Sequence, residues 1–408
     1  MKATSKNKQH AIMFIFITLL IDVIGLGIIL PVLPTLIEEL IHGTISDASR
    51  YGGWLIASYA IMQFIFSPVL GNLSDRFGRR PVLLVSLFGL SINYLLMAFA
   101  PNIAWMFIGR LIAGICGASN TTASAYIVDV SAPEKRAQNL GLIGAAFGLG
   151  FIIGPVVGGL LGHFGSRVPF FAAATLSMLN FVYGYFILPE SLQMSSRRRF
   201  DWKRANPFGA MKNLKKYIAI GGLIATVFVV NVASHAVESV WTFFTQESFH
   251  WSEAQIGYSL GFMGLMMAVV QGGLIHITQP HLGPVKSTYM GLGLLVIGMT
   301  LFAFATQGRM MYAIIIPYAI GTICNPAVNG IIADKAHPSE QGELQGMLTC
   351  LMSLASIIGP PMMTFLFSYA TSTNAPMYFP GAPFLLGGLL IATCFFFVHP
   401  VLKRMGKE

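Results

Sequence analysis

The sequence predicts an all-α membrane protein whose twelve transmembrane helices form two related six-helix halves. Three observations lead to this fold class. Hydrophobic residues make up 55% of the 408 residues and charged residues only 10%, with a mean hydropathy of +0.69, unlike soluble domains. Apolar stretches of about 20 residues, the length that crosses a bilayer, recur along almost the whole chain. A set of Gly, Pro, Asn and Asp residues also repeats at one constant spacing.

Each apolar stretch is one predicted span, and short polar segments separate the spans. The first span keeps Asp22 at mid-depth, lacks a small-residue cleavage site and is followed directly by further spans, so we interpret it as a membrane helix rather than a cleaved signal. The predicted spans cover residues 11–34, 51–70, 81–100, 103–128, 137–162, 168–188, 217–240, 253–276, 285–305, 310–333, 342–369 and 382–400.

The net charge of +9 reflects membrane topology. Most of the 25 Lys and Arg residues fall at the two termini, in the loops after spans 2 and 4, and in the central loop. The opposite face carries only Arg50, Arg167 and Arg309. By the positive-inside rule, both termini and the central loop are cytoplasmic. The basic charge therefore indicates orientation and no nucleic-acid partner.

The central polar segment divides the chain into two similar parts. Its Arg197–Arg199 run and Pro207 predict a linker. We expect a six-helix bundle at 1–188, a basic cytoplasmic linker at 189–216 and a second bundle at 217–408. An offset of 205 residues pairs Gly78 with Gly283, Asn120 with Asn325, Asp129 with Asp334, Pro133 with Pro338, Gly141 with Gly346, Gly154 with Gly359, and Pro155 with Pro360. Repeats of this kind place a transporter's substrate at their interface, near the membrane midplane.

The segment between spans 2 and 3 carries a carboxylate among three guanidinium groups. The sequence reads Gly71-Asn-Leu-Ser-Asp75-Arg76-Phe-Gly78-Arg79-Arg80, which predicts a tight cytoplasmic turn. One interpretation is a charge anchor for topology. The other is a conformational latch, in which Asp75 accepts from helix-terminal N–H groups or from an Arg of the other half. The equivalent segment of the second half has Pro280 and His281 instead, so such a latch is one-sided.

Span 5 carries small residues four apart around a proline, at Gly150, Gly154, Pro155, Gly158 and Gly159. Small residues at this spacing let helices approach closely, and proline removes a backbone hydrogen bond. Helix packing explains much of this pattern. A hinge or seal in span 5 is the functional alternative.

Asp22 is the sharpest single candidate in the chain. An ionised carboxylate at mid-bilayer costs at least about 2.5 kcal/mol, so it must be protonated, paired or water-exposed. Arg110 in span 4 is the expected partner. The pair is either a static ion pair holding spans 1 and 4 together, or a proton carrier whose environment changes between two transport states.

His235 and Glu238 lie three residues apart, near the outer end of predicted span 7. We interpret them as an interfacial pair rather than as metal ligands, because two ligands do not make a metal site. Glu238 remains a second titratable candidate. Other polar residues inside apolar spans are candidates for a substrate cavity rich in Phe and Met, namely Gln63, Asn93, Asn231 and Gln271, with Met267 among the apolar candidates.

These residues resemble the major facilitator superfamily, and within it the twelve-span drug:proton antiporters. The Gly71–Arg80 segment is similar to the family's signature loop between helices 2 and 3. Gly150–Gly159 resembles the helix 5 antiporter signature, and Arg110 with Gly114 resembles that of helix 4. The stretches 30–36, 63–68 and 144–150 most resemble the bacterial tetracycline/H+ antiporters. The resemblance implies the superfamily fold and outward drug transport driven by inward proton flow.

The resemblance also assigns individual positions. Residues that match those used by the tetracycline group are Asp22, Gln63, Asp75, Arg79, Arg110, Asp129 and Gln271. We count Asp129 with the Gly71–Arg80 residues as part of the expected latch. Asn93 and Leu295 stand where enteric-type members have Asp, and Met267 stands where they have His. These departures count against tetracycline itself as the substrate. They count less against proton coupling, because Asp22 is retained.

The combined expectation is proton-coupled efflux of an amphipathic, drug-like compound by a monomer in the bacterial cytoplasmic membrane. Its partners would be the small molecule, protons and lipid, with no cofactor and no metal. Metabolite uptake or exchange by the same fold is one alternative. A non-transporting membrane sensor is another. We do not expect the protein to be an enzyme, because the sequence has no nucleophile elbow, metal-ligand cluster or nucleotide-binding loop.

Overall fold

The computed structural model describes residues 5–118, 120–202, 206–207, 209, 217, 220–335 and 341–405. That part of the chain contains fifteen α-helices, short 3₁₀ and π segments, and no β-strand. The α-helices are α1 (Ser5–Ile29), α2 (Leu33–Ile41), α3 (Ile45–Phe77), α4 (Arg79–Ala98), α5 (Ile103–Gly117), α6 (Asn120–Val130), α7 (Arg136–Gly162), α8 (Val168–Ile187), α9 (Gly221–Phe249), α10 (Glu253–Val269), α11 (Ile275–Ala303), α12 (Gly308–Gly321), α13 (Cys324–Asp334), α14 (Gln341–Thr371) and α15 (Ala382–Met405).

The helices account for the twelve predicted spans. Among the described residues, eleven helical stretches are long and apolar enough to cross a membrane, and one of them, Glu253–Ala303, has 51 residues. At about 1.5 Å per residue that stretch is roughly twice the bilayer thickness. It divides at Gly283, whose φ of 70° and ψ of 167° are not helical. The all-α fold class is therefore confirmed, with this stretch contributing two spans.

The internal repeat is visible in the backbone. Gly78 has φ 106° and ψ 159° immediately before α4, and its repeat partner Gly283 has the similar values given above. Positive φ is accessible to glycine without the steric cost that a Cβ brings. The fourth and tenth spans are both broken, into α5 and α6 and into α12 and α13, close to the 205-residue offset. The two halves thus share their irregularities as well as their helices.

The segment at Gly71–Arg80 differs from the tight turn expected of it. Helix α3 continues to Phe77 and α4 begins at Arg79, so Gly78 alone separates them. Asp75 consequently lies in the last turn of a helix. A backbone reversal at one residue is possible because glycine occupies it.

Two compact units emerge from the contacts. Unit 1 comprises Met1–Ile41, Ser58–Pro207 and Glu253–Gly261, and unit 2 comprises His42–Ala57, Phe208–Ser252 and Phe262–Glu408. The predicted bundle and linker boundaries remain predictions. Residues 203–205, 208 and 210–216 of the predicted linker lie outside the described residues, as does Pro338 of the repeat.

Each unit has its own core. In unit 1, α1 packs along α7 and α8, while α4 packs against α5 and α8. In unit 2, α9 packs against α14 and α15, and α11 packs against α12 and α15. The ring of Phe302 meets Trp241 edge-to-face, with centroids 5.2 Å apart. Both rings are buried, so this contact joins α9 and α11 within the core of unit 2.

Candidate functional site

Asp22 lies in the apolar part of α1, where its neighbour is a neutral amide. The Asn180 side chain, on α8, donates through Nδ2 to Asp22 Oδ1 at 3.4 Å and to the Thr18 carbonyl at 3.1 Å. Asn180 is fully buried, and Asp22 is half-buried. The sequence interpretation did not identify Asn180. A polar residue at mid-span of α8 was the available signal, but nothing along the chain indicated which helix it faces.

Arg110 does not form the ion pair expected with Asp22. No Lys, Arg or His nitrogen among the described residues lies within 4.0 Å of the Asp22 carboxylate. Arg110 is instead buried on α5, where its Nη2 donates to Met97 Sδ at 2.9 Å. The static ion pair between spans 1 and 4 is therefore not formed, because the rotation of α5 directs the guanidinium toward α4.

Two tyrosines lie near both Asp22 and Arg110. The Tyr59 and Tyr94 side chains lie within electrostatic range of both Asp22 and Arg110. Tyr94 is fully buried on α4, and Tyr59 is half-buried on α3. A hydroxyl can donate and accept a hydrogen bond, so both tyrosines can follow a change in the charge of Asp22. The polar centre of unit 1 is therefore an acid, an amide, two phenols and a cation.

The Arg79 guanidinium organises the cytoplasmic end of unit 1. Its Nη1 lies 2.6 Å from Asp75 Oδ1, and its Nε donates to Asp129 Oδ2 at 3.2 Å. Nη1 also donates to Ser74 Oγ at 2.6 Å. Arg79 is buried, so these charge-assisted hydrogen bonds act in a low-dielectric setting. The structure thus joins three of the predicted latch residues in one cluster.

Glu190 was not among the predicted latch residues. Its carboxylate accepts from the backbone N–H of Arg79 at 2.9 Å and of Arg80 at 3.3 Å. The latch hypothesis had Asp75 accept hydrogen bonds either from helix-terminal N–H groups or from an Arg of the other half. In the structure Glu190 accepts from the helix-terminal N–H groups, and Asp75 pairs with Arg79 of its own half. The sequence feature that could have indicated such a role is Gly78 at the N-cap of α4, because glycine has no side chain to accept from the first-turn N–H groups.

The other latch residues contact the same region. The Arg80 guanidinium donates through Nη2 to the Tyr185 carbonyl at 2.6 Å. Arg76 lies over the Phe77 ring, 4.9 Å from its centroid. A Cβ on Gly71 would lie 3.9 Å from Thr121 Oγ1, which is ordinary contact. Gly71 and Arg76 are therefore peripheral to the Arg79 cluster.

Replacing Glu190 with Ala should destabilise the protein by about 1–2 kcal/mol, because the first turn of α4 loses its capping carboxylate. Thermal unfolding in detergent measures this as a lower midpoint. Glu134→Ala is the matched control, since Glu134 is exposed in the loop after span 4, which is predicted to be cytoplasmic like the Gly71–Arg80 segment. Equal midpoints for the two variants would contradict the capping role.

The small residues of α7 form a seam against α1. A Cβ on Gly150 would lie 2.6 Å from Val23 Cγ1, and one on Gly154 would lie 2.8 Å from Gly27 Cα. At Gly158 it would overlap the Ile28 carbonyl. Gly159 faces the other way, against the Glu253 backbone of α10, and α7 remains helical through Pro155. Close helix packing therefore accounts for these glycines.

The predicted cavity residues have different surroundings. Gln63 Nε2 donates to the Gly117 carbonyl at 3.3 Å, where the fourth span breaks. Asn93 is fully buried, and neither of its polar side-chain atoms has a partner among the described residues. Asn231 Nδ2 donates to the Val227 carbonyl of its own helix at 2.8 Å. Met267 packs into an apolar cluster, and Gln271 is exposed on the π-helical segment Val270–Leu274.

His235 and Glu238 do not lie at the membrane interface. Helix α9 continues for 11 residues beyond Glu238, about 16 Å, to Phe249. His235 Nδ1 lies 3.1 Å from Glu238 Oε2. The interfacial interpretation is therefore wrong, because it depended on ending the span at residue 240. The pair belongs to the middle of α9.

Comparisons with known proteins agree with this architecture. The family model described as Major Facilitator Superfamily matches residues 15–325 and 281–407. The chain is 37% identical over 398 residues to the class C tetracycline resistance protein of Escherichia coli, covering 98% of both chains. It is 36% identical to the class E protein of Escherichia coli, covering 97% of this chain and 98% of that protein. A bacterial homologue of the human lysosomal transporter Spinster, in an inward-facing and occupied conformation, superposes with a TM-score of 0.79 at 13% identity, covering 98% of each chain.

Proposed function

Because this chain belongs to the Major Facilitator Superfamily, we propose that it is a secondary active transporter that exports an amphipathic, drug-like compound in exchange for protons. The fold is that of a multi-pass membrane transporter. Its curated relatives are named tetracycline resistance proteins. The observation that carries the proposal is the Asp22 carboxyl group, held in the middle of a membrane helix by a neutral amide.

Asp22 carries the coupled proton. With no cation at ion-pair distance among the described residues, an ionised Asp22 is costly in the membrane, and protonation removes that cost. Asn180 donates to Oδ1, which leaves Oδ2 available for a proton. Arg110 lies beyond ion-pair distance of Asp22, and Tyr59 and Tyr94 lie within electrostatic range of both groups. A change in hydration between the two transport states then loads and releases the proton.

Alternating access requires two states of comparable energy. We assign the Arg79 cluster, with Asp75, Asp129 and Glu190, the task of stabilising the cytoplasmic end of unit 1 in one state. The α1–α7 seam keeps those two helices together as one body while the states exchange. Glu238 is a further titratable group in unit 2.

The substrate is an amphipathic compound, and tetracycline is the first to test. The relatives' names favour it. Two positions where the sequence departs from enteric-type members are packed rather than polar, since Leu295 lies against Gly321 and Met267 lies in an apolar cluster. Substrate selectivity therefore differs in detail from that of the relatives.

Topology follows from charge. We propose that both termini lie on the cytoplasmic side of a bacterial inner membrane, because basic residues are concentrated at the termini and in the central loop. We propose a monomer surrounded by lipid, since each unit already has its own buried hydrophobic core.

Proteoliposomes with an acidic interior and an internal pH dye test the proposed function. Tetracycline added outside should raise the internal pH faster than in protein-free liposomes, because protons leave as the drug enters. Protein-free liposomes measure the pH change from passive drug entry. Identical traces with and without protein, for tetracycline and for other amphipathic drugs, would exclude antiport and favour uptake or sensing.

A further inference from the structure

Helix α9 carries a polar stripe in the middle of the membrane. Asn231, Ser234, Glu238 and Thr242 follow one another at helical spacing along one face. They are half-buried or exposed, whereas most residues of the intervening turns are buried. Asn231 and Ser234 donate to backbone carbonyls of their own helix, but a carboxylate accessible at this depth, as at Glu238, would be costly if it faced hydrocarbon. The stripe therefore faces water.

Glu238 is the charged member of this stripe. Its side chain is 63% accessible, although α9 extends well beyond it on both sides. Oε2 lies 3.1 Å from His235 Nδ1, and among the described residues no side chain donates a hydrogen bond to Oε1. The carboxylate therefore has one oxygen engaged by the protein and one open to a ligand.

The His235 ring packs closely against Gly359 of α14. It is buried, and a Cβ on Gly359 of α14 would lie 2.5 Å from its Cδ2. Gly359 is the repeat partner of Gly154, which makes the equivalent close contact with Gly27 of α1. The glycine of unit 2 therefore contacts an imidazole ring, whereas the equivalent glycine of unit 1 contacts the backbone of a neighbouring helix. The ring is fixed, with Nδ1 directed at Glu238.

The surroundings contain no other strong charge at this level. Among the described residues, Tyr318 of α12 lies within electrostatic range of Glu238 and has a side-chain hydrogen bond with Ser234. The other titratable side chains on the described helices around α9 are thiols, phenols and charged or histidine side chains, and none of them forms an ion pair with Glu238; they are Asp47, Arg50, Tyr51, His276, His281, Lys286, Tyr289, Arg309, Tyr312, Cys324, Asp334, Glu343, Cys350, Tyr369, Cys394, His399 and Lys403. His235 is therefore the nearest cation that can neutralise Glu238.

We propose that Glu238 and His235 form a binding site for a cationic organic substrate, in which the ligand's positive charge replaces the proton charge of His235. With His235 doubly protonated, the pair is neutral overall. A ligand cation at Glu238 would add a charge in the membrane interior, so the imidazole releases one proton to water and keeps Nδ1–H on Oε2. The pair and its ligand then remain neutral. This refines the substrate class of the proposed exporter and adds a second site of proton exchange.

Tetraphenylphosphonium, a permanent cation that cannot itself titrate, tests the site by binding calorimetry on the purified protein in detergent. An Asp22→Asn background removes the other acid. Across the range of about pH 5–8 in which histidines exchange protons, we expect about one proton released per cation bound and weaker binding at lower pH. Glu238→Gln should weaken binding about tenfold or more. His235→Gln should bind at least as tightly as the parent, independently of pH and without proton release.

Glu247→Gln is the matched control, because Glu247 lies on the same helix and accepts from Tyr378, an interaction that Gln retains. It should bind like the parent protein. Parent-like binding by Glu238→Gln, continued proton release by His235→Gln, or no tetraphenylphosphonium binding by the parent would each overturn the proposal. Since binding is measured without transport, these results are independent of the liposome assay of the exporter function.

Discussion

Replacing Asp22 with Asn is expected to abolish uphill drug efflux while leaving the folded protein intact. Asn is nearly isosteric with Asp and can still accept from Asn180 through its amide oxygen. It cannot bind and release a proton, so drug movement loses its energy source. Removing a half-buried carboxyl from the membrane also relieves a desolvation cost, so stability should not fall.

The measurement is drug-dependent proton movement in proteoliposomes, together with drug accumulation against a gradient. Asp22→Asn should fall to the protein-free level in both. Downhill drug exchange across the same liposomes should persist, which separates uncoupling from misfolding. Asp47→Asn provides the control, because Asp47 is exposed near the start of α3 and accepts from Thr44. If Asp22→Asn retained full coupled transport, the proton carrier would have to be a group other than Asp22.

Replacing Gly158 with Val is expected to prevent stable folding. A Cβ at this position would overlap the carbonyl of Ile28, and backbone cannot swing aside as a flexible side chain can. Relief requires α1 and α7 to separate along a seam that includes Gly150 and Gly154. The expected destabilisation is roughly 3 kcal/mol or more, enough to remove much of a marginal stability.

The same helix offers a sharp control. Gly148 has no atom within 4 Å of an added Cβ, so Gly148→Ala should be tolerated and gains helix propensity. Size-exclusion profiles and thermal midpoints of the two variants in detergent test the contrast. A monodisperse, active Gly158→Val protein with the parent's midpoint would show that the seam is not required.

Two predictions that depended on spacing along one helix agree with the structure. Asp22 lies in an apolar helix, and the glycines of α7 pack closely against neighbouring backbone and side chains. Each follows from the 3.6-residue period, which local sequence determines.

Predictions that depended on where helices end or which helices meet succeeded less well. The Gly71–Arg80 turn reduced to Gly78, because α3 continues through the charged residues. The placement of Glu238 failed, because apolar periodicity does not mark the end of a helix whose outer turns are polar. The arginine expected beside Asp22 faces methionine instead.

The sequence by itself determined the membrane class, the number of spans, their expected orientation and the repeat, because these depend on composition and on spacings within the chain. Only the tertiary structure decided which side chains meet. Asp22 and Asn180 are separated by 158 residues, and Glu190 and Arg79 by 111. Helix rotation and register arise from the packing of many helices at once. No spacing within one helix specifies them, and the chemistry of this transporter depends on those contacts.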